Sequence, residues 1–202
     1  MKVIEPTAPH RGTVIWMHGL GATCDDFVPV IPYLRRPDLK FVLPQAPERP
    51  VTINGGWVMP AWYDIKSLDH VPDRNDPAHI EESRSFIEGL ALAEYVPVVL
   101  VGFSQGGAMA LHTGLAMKRT LAGIVVLSAY RLEGGVEDPA NAGTPIFFGH
   151  GDLDEVVPVH KGRAAMEGVR QGREVTWGSW PMGHEVCLEE IEALKAWLET
   201  AI

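Results

Sequence analysis

Short runs of apolar, often β-branched residues recur along this chain, and segments with a helical pattern separate them. Several runs are apolar at every position, which is typical of parallel strands covered on both faces. The sequence therefore predicts an α/β fold with a mostly parallel central sheet, helices on both faces and a single domain over residues 1–202. The predicted strands are residues 13–17, 39–43, 96–101, 124–127 and 145–148, with a weaker one at 174–177.

The helical segments carry recognisable start signals. A short helix is predicted at residues 27–34 and a second after Asp76 and Pro77, where aspartate caps a helix and proline suits its first position. Two more are predicted at residues 105–117 and 187–198. The last has an apolar stripe facing the core, and its charged residues are predicted to lie largely on the other side. These charged residues are Glu189, Glu190, Glu192 and Lys195.

Residues 44–77 form a long stretch that proline, glycine and tryptophan interrupt repeatedly. A loop of this length within a compact domain is usually functional. We therefore expect this stretch to be irregular and to contribute to a binding site.

Composition excludes some classes of function. The 202 residues carry 26 acidic and 17 basic side chains, a net charge of −9, which disfavours a nucleic-acid partner. Cys24 and Cys187 lack metal-ligand spacing and are too few for a disulfide framework, as expected of free thiols in a cytoplasmic protein. The apolar runs fall short of the about 18 residues that span a bilayer, and the first residues lack a signal-peptide pattern. We expect no stable membrane insertion.

The strongest chemical signal is the sequence Gly-Phe-Ser-Gln-Gly-Gly at residues 102–107, which directly follows a predicted strand and precedes a predicted helix. This is the context of a G-x-S-x-G nucleophile elbow, a sharp turn that exposes a serine hydroxyl above the sheet. Small residues at Gly102 and Gly106 allow the strand and the helix to approach each other closely. The sequence predicts Ser104 as a nucleophile.

A nucleophilic serine needs a base, and the base needs an acid that orients it. In folds with this elbow the chain order is serine, acid, histidine, which favours His184 as the base. Asp152 and Asp154 both follow the strand at 145–148, and their spacing alone does not decide between them. The oxyanion hole needs two backbone N–H donors, which we assign to Gln105 and to Leu20 in the loop after the first strand.

These motifs resemble those of the phospholipase/carboxylesterase family of α/β-hydrolases, whose eukaryotic members are the acyl-protein thioesterases. The similar segments span nearly the whole chain: His-Gly-Leu-Gly at 18–21, Pro-Gln-Ala-Pro at 44–47, Met-Pro-Ala-Trp-Tyr-Asp at 59–64, residues 102–110, 150–158, and Gly-His at 183–184.

The resemblance implies an α/β-hydrolase fold without a large lid domain. It assigns the acid to Asp154 and agrees with Leu20 and Gln105 as oxyanion donors. It also suggests that Trp57, Met59 and Trp62 line an acyl-binding groove. Asp152 is then expected to accept hydrogen bonds from the backbone of its own turn.

The resulting hypothesis is a serine hydrolase that cleaves short- to medium-chain carboxylic esters or thioesters through an acyl-serine intermediate. No metal or organic cofactor is expected, and the substrate is a small molecule or another acyl-bearing ester. The alternatives are a lysophospholipase, an amide hydrolase, or a catalytically dead hydrolase fold that binds a ligand. A homodimer is possible.

Overall fold

A computed structural model describes residues 1–69 and 74–202. Its centre is a seven-stranded sheet in the order β1-β3-β2-β6-β7-β8-β9, in which β1 is antiparallel to β3 and the other pairs are parallel. The strands of this sheet are β1 (Lys2–Ile4), β2 (Gly12–Met17), β3 (Leu39–Leu43), β6 (Val98–Phe103), β7 (Gly123–Leu127), β8 (Ile146–Gly151) and β9 (Val175–Trp180). A separate hairpin pairs β4 (Glu48–Val51) with β5 (Trp57–Pro60).

Helices cover both faces of the sheet. They are α1 (Ile31–Leu34), α2 (Pro77–Leu92), α3 (Gln105–Ala116), α4 (Val159–Glu167) and α5 (Leu188–Ala201), with short 3-10 turns at Thr52–Asn54 and Pro139–Asn141. The predicted fold is confirmed, and the described residues form no large lid.

The strands are apolar at successive positions because each face of the sheet has its own core. Ile15 and Leu100 pack with residues of α2, α3 and α4 on one face. Val14 and Val99 pack with residues of α1 and α5 on the other face. Alternate side chains therefore enter different cores, and both sets must be apolar.

The helix boundaries follow local chemistry. The Asp76 side chain accepts hydrogen bonds from the N–H groups of Ala78 and His79, so it caps α2 as the sequence predicts. The helix predicted at residues 27–34 is reduced to Ile31–Leu34, because the residues before it form successive tight turns.

Two features were not predicted. The three residues of β1 are too few for a recognisable pattern, and the stretch at 44–77, expected to be irregular, contains the β4–β5 hairpin. Gly55 and Gly56 have positive φ values of 68° and 78°, which allows the chain to reverse between these strands. The part of that stretch at residues 70–73 lies outside the described residues.

Candidate active site

Ser104 lies in a strained turn between β6 and α3. Its φ of 54° and ψ of −119° place a non-glycine residue in a rarely populated backbone conformation. A side chain at Gly102 would collide with the backbone of Gly106, so the turn requires glycine there. The Ser104 N–H donates to the carbonyl oxygen of Leu127 at 2.8 Å, which ties the elbow to β7.

His184 lies in the loop after β9 and bridges the serine to an acid. Its Nε2 is 2.8 Å from Ser104 Oγ, and its Nδ1 is 2.7 Å from Asp154 Oδ2. The ring of Phe103 packs against the imidazole with a centroid distance of 4.8 Å. The structure thus brings together Ser104, His184 and Asp154.

Asp154 is almost completely buried, and each of its oxygens has a hydrogen-bond donor. Oδ1 accepts from the N–H groups of Val156 at 2.9 Å and Val157 at 2.7 Å, while Oδ2 faces His184. These donors stabilise the carboxylate and fix its orientation.

His150 packs beside this carboxylate. Its Nε2–H donates to the Val157 carbonyl oxygen at 2.7 Å, and burial lowers the pKa of the imidazole. A neutral His150 therefore supports the loop that holds Asp154.

Asp152, the competing acid, is exposed, and its carboxylate has no hydrogen-bond donor among the described residues. The expectation that its side chain bonds the backbone of its own turn is wrong. That task falls to Asp154, two residues further along, where the chain turns back toward the sheet.

Two backbone N–H groups are available near Ser104. Gln105 is the first residue of α3, so its N–H is one of the amides without a partner inside the helix. The Leu20 N–H has no partner within the described part of the chain. Leu20 and Gln105 line the same cavity as Ser104.

His18 fixes the orientation of the Gly19–Leu20 peptide. Its Nε2 accepts the Ala46 N–H at 3.1 Å, so its Nδ1 carries the proton and donates to the Gly19 carbonyl oxygen at 2.7 Å. Burial lowers the pKa of His18, which favours this neutral form. Because the C=O and N–H of a trans peptide point in opposite directions, this bond also fixes the Leu20 N–H.

A cavity of about 440 Å³ opens beside Ser104, which is within the size range of small-molecule sites. Apolar side chains from separate parts of the chain form most of its walls: Leu20, Phe27, Val30, Ile53, Ile65, Phe103, Val157 and Val186.

The three side chains predicted for this groove do not line the cavity. Trp57 is 76% exposed on the hairpin, and Met59 is half-buried, with its sulfur 3.3 Å from Asn54 Nδ2. Trp62 is fully buried in the core beneath the site, so the structure does not bring these three side chains to the wall of this cavity.

Trp62 supports the site from behind. Its Nε1–H donates to the His18 carbonyl oxygen at 2.8 Å, and its backbone N–H donates to Gln105 Oε1 at 2.7 Å. Gln105 Nε2 in turn donates to the Tyr63 carbonyl oxygen at 2.8 Å. This network connects the loop of Leu20 to the start of α3.

Within residues 1–69 and 74–202 there is no cluster of three or more histidine, cysteine, aspartate or glutamate residues suited to a metal ion. No helix in these ranges is long and apolar enough to cross a membrane.

The fold is that of the α/β-hydrolases, and the serine, histidine and aspartate meet at the carboxyl ends of its strands. The sequence profile of the family described as Phospholipase/Carboxylesterase matches residues 1–202. The chain belongs to this family and is a serine hydrolase of carboxylic esters or thioesters.

Named relatives match along most or nearly all of their length. The chain is 38% identical to acyl-protein thioesterase 1 of Neurospora crassa, covering 97% of this chain and 89% of the relative. It is 32% identical to acyl-protein thioesterase 1 of Saccharomyces cerevisiae, and the match covers 100% of this chain and 98% of that relative. The crystal structure of Zea mays acyl-protein thioesterase 2 superposes with a TM-score of 0.89 at 25% identity. The superposition covers 99% of this chain and 97% of the maize protein.

Proposed function

We propose that Ser104 is the nucleophile, His184 the general base and Asp154 the orienting acid of this hydrolase. The observation that carries the proposal is the continuous pair of contacts from Ser104 Oγ to His184 to Asp154, at 2.8 Å and 2.7 Å. Their roles follow from the chemistry of such triads.

In the first half-reaction His184 Nε2 accepts the hydroxyl proton as Ser104 Oγ bonds to the substrate carbonyl carbon. The carbonyl oxygen becomes an oxyanion, which accepts hydrogen bonds from the N–H groups of Leu20 and Gln105. Asp154 stabilises the imidazolium that forms. His184 then gives the proton to the leaving alcohol or thiol, and the carbon–heteroatom bond breaks to leave an acyl-serine.

In the second half-reaction water attacks the acyl-serine, with His184 again taking a proton and returning it to Ser104 Oγ. The acid is released and the enzyme is restored. Every step uses groups of this chain and water.

The substrates we propose are short- to medium-chain esters or thioesters. The walls of the cavity are mainly apolar, which suits an acyl chain. The names of the relatives favour thioesters, since they are acyl-protein thioesterases. Each additional CH₂ that the cavity buries contributes about 0.8 kcal/mol, so kcat/KM rises with acyl length until the cavity is full.

The test combines covalent labelling with kinetics. An active-site-directed fluorophosphonate is expected to label wild type once, at Ser104, whereas a protein that only binds a ligand does not label. Ser104→Ala is expected to lower kcat for p-nitrophenyl butyrate by about 10⁴-fold or more while Tm is retained.

Ser85→Ala is the matched control, because Ser85 is exposed on α2 and does not line the cavity beside Ser104. It is expected to label and to turn over like wild type. Substantial turnover by a folded Ser104→Ala protein would refute the assignment.

A further inference from the structure

Arg74 is a buried cation with no acidic partner among the described residues. The residue is 8% exposed, and among the described residues no carboxylate oxygen lies within 4.0 Å of its guanidinium. Its Nε has no hydrogen-bond partner within residues 1–69 and 74–202. The guanidinium carbon lies 5.1 Å from the centre of the Tyr130 ring. Burying an unpaired charge is costly, so such a group is expected to have a role that repays the cost.

The backbone holds Arg74 in place. The Lys66 N–H donates to the Arg74 carbonyl oxygen at 2.7 Å, and Ile65 and Asn75 form a β-bridge next to it. The Tyr130 ring beneath the guanidinium is itself fixed by a 2.8 Å hydrogen bond between its hydroxyl and that of Tyr63.

Arg74 lines the same cavity as Ser104, and so does Lys161 of α4. Both also line a neighbouring cavity, which shares Tyr130 with the first. Lys161 is half-buried, and no ion pair to its Nζ occurs within the described ranges. Two cations that have no acidic partner in the described part of the chain therefore border one part of the substrate cavity.

The described acids that line these two cavities do not pair with the cations. Asp26 and Glu185 also line the cavity, and Glu133 lines the neighbouring one, but all three are exposed and none lies within 4.0 Å of either cation. This region is cationic although the chain as a whole has a net charge of −9. It also differs from the apolar walls on the rest of the cavity.

We propose that Arg74 and Lys161 bind a carboxylate group of the substrate at a distance from the carbonyl that reacts with Ser104. The preferred substrates are then esters or thioesters that carry a second, ionised carboxyl group. The planar guanidinium matches the two oxygens of a carboxylate, and the lysine supplies a further donor. This inference rests on the proposed function, because it assigns the substrate class of the same site.

The test uses two pairs of substrates that differ in one charge. In the first pair, mono-p-nitrophenyl adipate carries the carboxylate on the acyl group, and p-nitrophenyl hexanoate is its neutral counterpart. In the second, S-hexanoyl 3-mercaptopropionate carries it on the leaving thiol, and its methyl ester is neutral. Wild type is expected to prefer the charged member of at least one pair by about tenfold to a hundredfold in kcat/KM.

The variants assign this preference to the two cations. Arg74→Gln and Lys161→Gln are each expected to lower the ratio of charged to neutral kcat/KM, Arg74→Gln by about tenfold or more. Arg74→Lys should retain part of the ratio, and added salt should reduce it in wild type. If Arg74 had a purely structural role, Arg74→Gln would lower kcat/KM equally for both substrates of a pair. The ratio of charged to neutral kcat/KM would then be unchanged.

Arg163→Gln is the matched control. Arg163 is an exposed arginine on α4, placed 4.8 Å over the Trp177 ring, and it does not line the cavity. Its substitution should leave the ratio as in wild type. If Arg74→Gln does not fold, Lys161→Gln and the salt dependence still decide the question.

The two proposals fail differently. Equal kcat/KM for charged and neutral members of both pairs in wild type would overturn the carboxylate site and leave the proposed function standing. Absence of turnover of all four substrates would overturn the proposed function itself.

Discussion

Two buried carboxyl groups lie near the end of β8, and their surroundings differ sharply. Asp154 receives two backbone N–H groups and faces the His184 imidazole. Glu190, in the first turn of α5, is fully buried, and neither of its oxygens has a hydrogen-bond partner within the described residues. It fits against β8 because Gly149 has no side chain there.

The difference shows what burial demands of a charge. Donors around Asp154 replace the water that its carboxylate loses on folding, so a negative charge remains available to His184. Glu190 has no such donor in the described part of the chain, and burial raises its pKa to about 8. Asp154 is held in position to interact with His184, whereas Glu190 remains a neutral acid at neutral pH.

The largest expected effect comes from removing the charge of Asp154, the carboxyl group whose two oxygens both have hydrogen-bond partners. Asp154→Asn should lower kcat for ester hydrolysis by about 10⁴-fold, because the amide no longer holds His184 in the required tautomer. Steady-state kinetics on p-nitrophenyl butyrate measure the loss.

Asp152→Asn is its control, since that side chain is exposed and makes no hydrogen bond in the described structure. It should leave both kcat and Tm near the wild-type values. An exchange of the two phenotypes would move the acid to Asp152.

The second effect concerns the pH dependence of stability. Between the ordinary glutamate pKa of 4.5 and the folded value of about 8, native Glu190 holds a proton that the unfolded chain has lost. Raising the pH therefore favours unfolding, and this one group removes about 1.4 kcal/mol of unfolding free energy per pH unit in that window. Below pH 4.5 this group does not lower the unfolding free energy, and above about pH 8 the loss is complete.

Glu190→Gln should remove this dependence, so its stability relative to wild type should increase from pH 5 to pH 8 by several kcal/mol. Urea unfolding at both pH values measures the difference. The exposed neighbour provides the control, since Glu189→Gln should show no such trend. Parallel pH profiles for Glu190→Gln and wild type would contradict the assigned protonation.

Much of this fold could be predicted, because the strands contact a core on each face and leave a continuous apolar signal. Ser104 could be singled out because it follows β6 directly, after a glycine that the turn requires at position 102, and His184 because it lies in the loop after a later strand. The acid needed the family resemblance, since only the folded loop shows which aspartate is turned toward the histidine.

Neither the lining of the cavity nor the burial of Glu190 could be predicted from sequence, because both depend on contacts between distant parts of the chain. Ile53 and Ile65 reach the cavity from different parts of the long stretch, so no local pattern connects them. Trp57 and Trp62 were assigned by resemblance, and only burial distinguishes the exposed ring from the core ring. Glu190 was predicted to lie largely on the side of the helix opposite the apolar stripe, and that prediction is wrong because Glu190 is buried.

The smallest expected effect concerns two indole rings of the core, one with a hydrogen-bond partner for its N–H and one with none in the described structure. Trp16 and Trp62 are both buried, but Trp62 Nε1–H donates to the His18 carbonyl oxygen whereas Trp16 Nε1 has no partner among the described residues. Replacing either by phenylalanine removes the same atoms. Trp62→Phe also leaves a buried carbonyl unsatisfied, so it should cost about 1–3 kcal/mol more unfolding free energy than Trp16→Phe. Since that carbonyl belongs to the loop of Leu20, kcat should fall for Trp62→Phe and change little for Trp16→Phe. Equal losses of stability in urea unfolding of the two variants would show that packing alone sets the contribution of these rings.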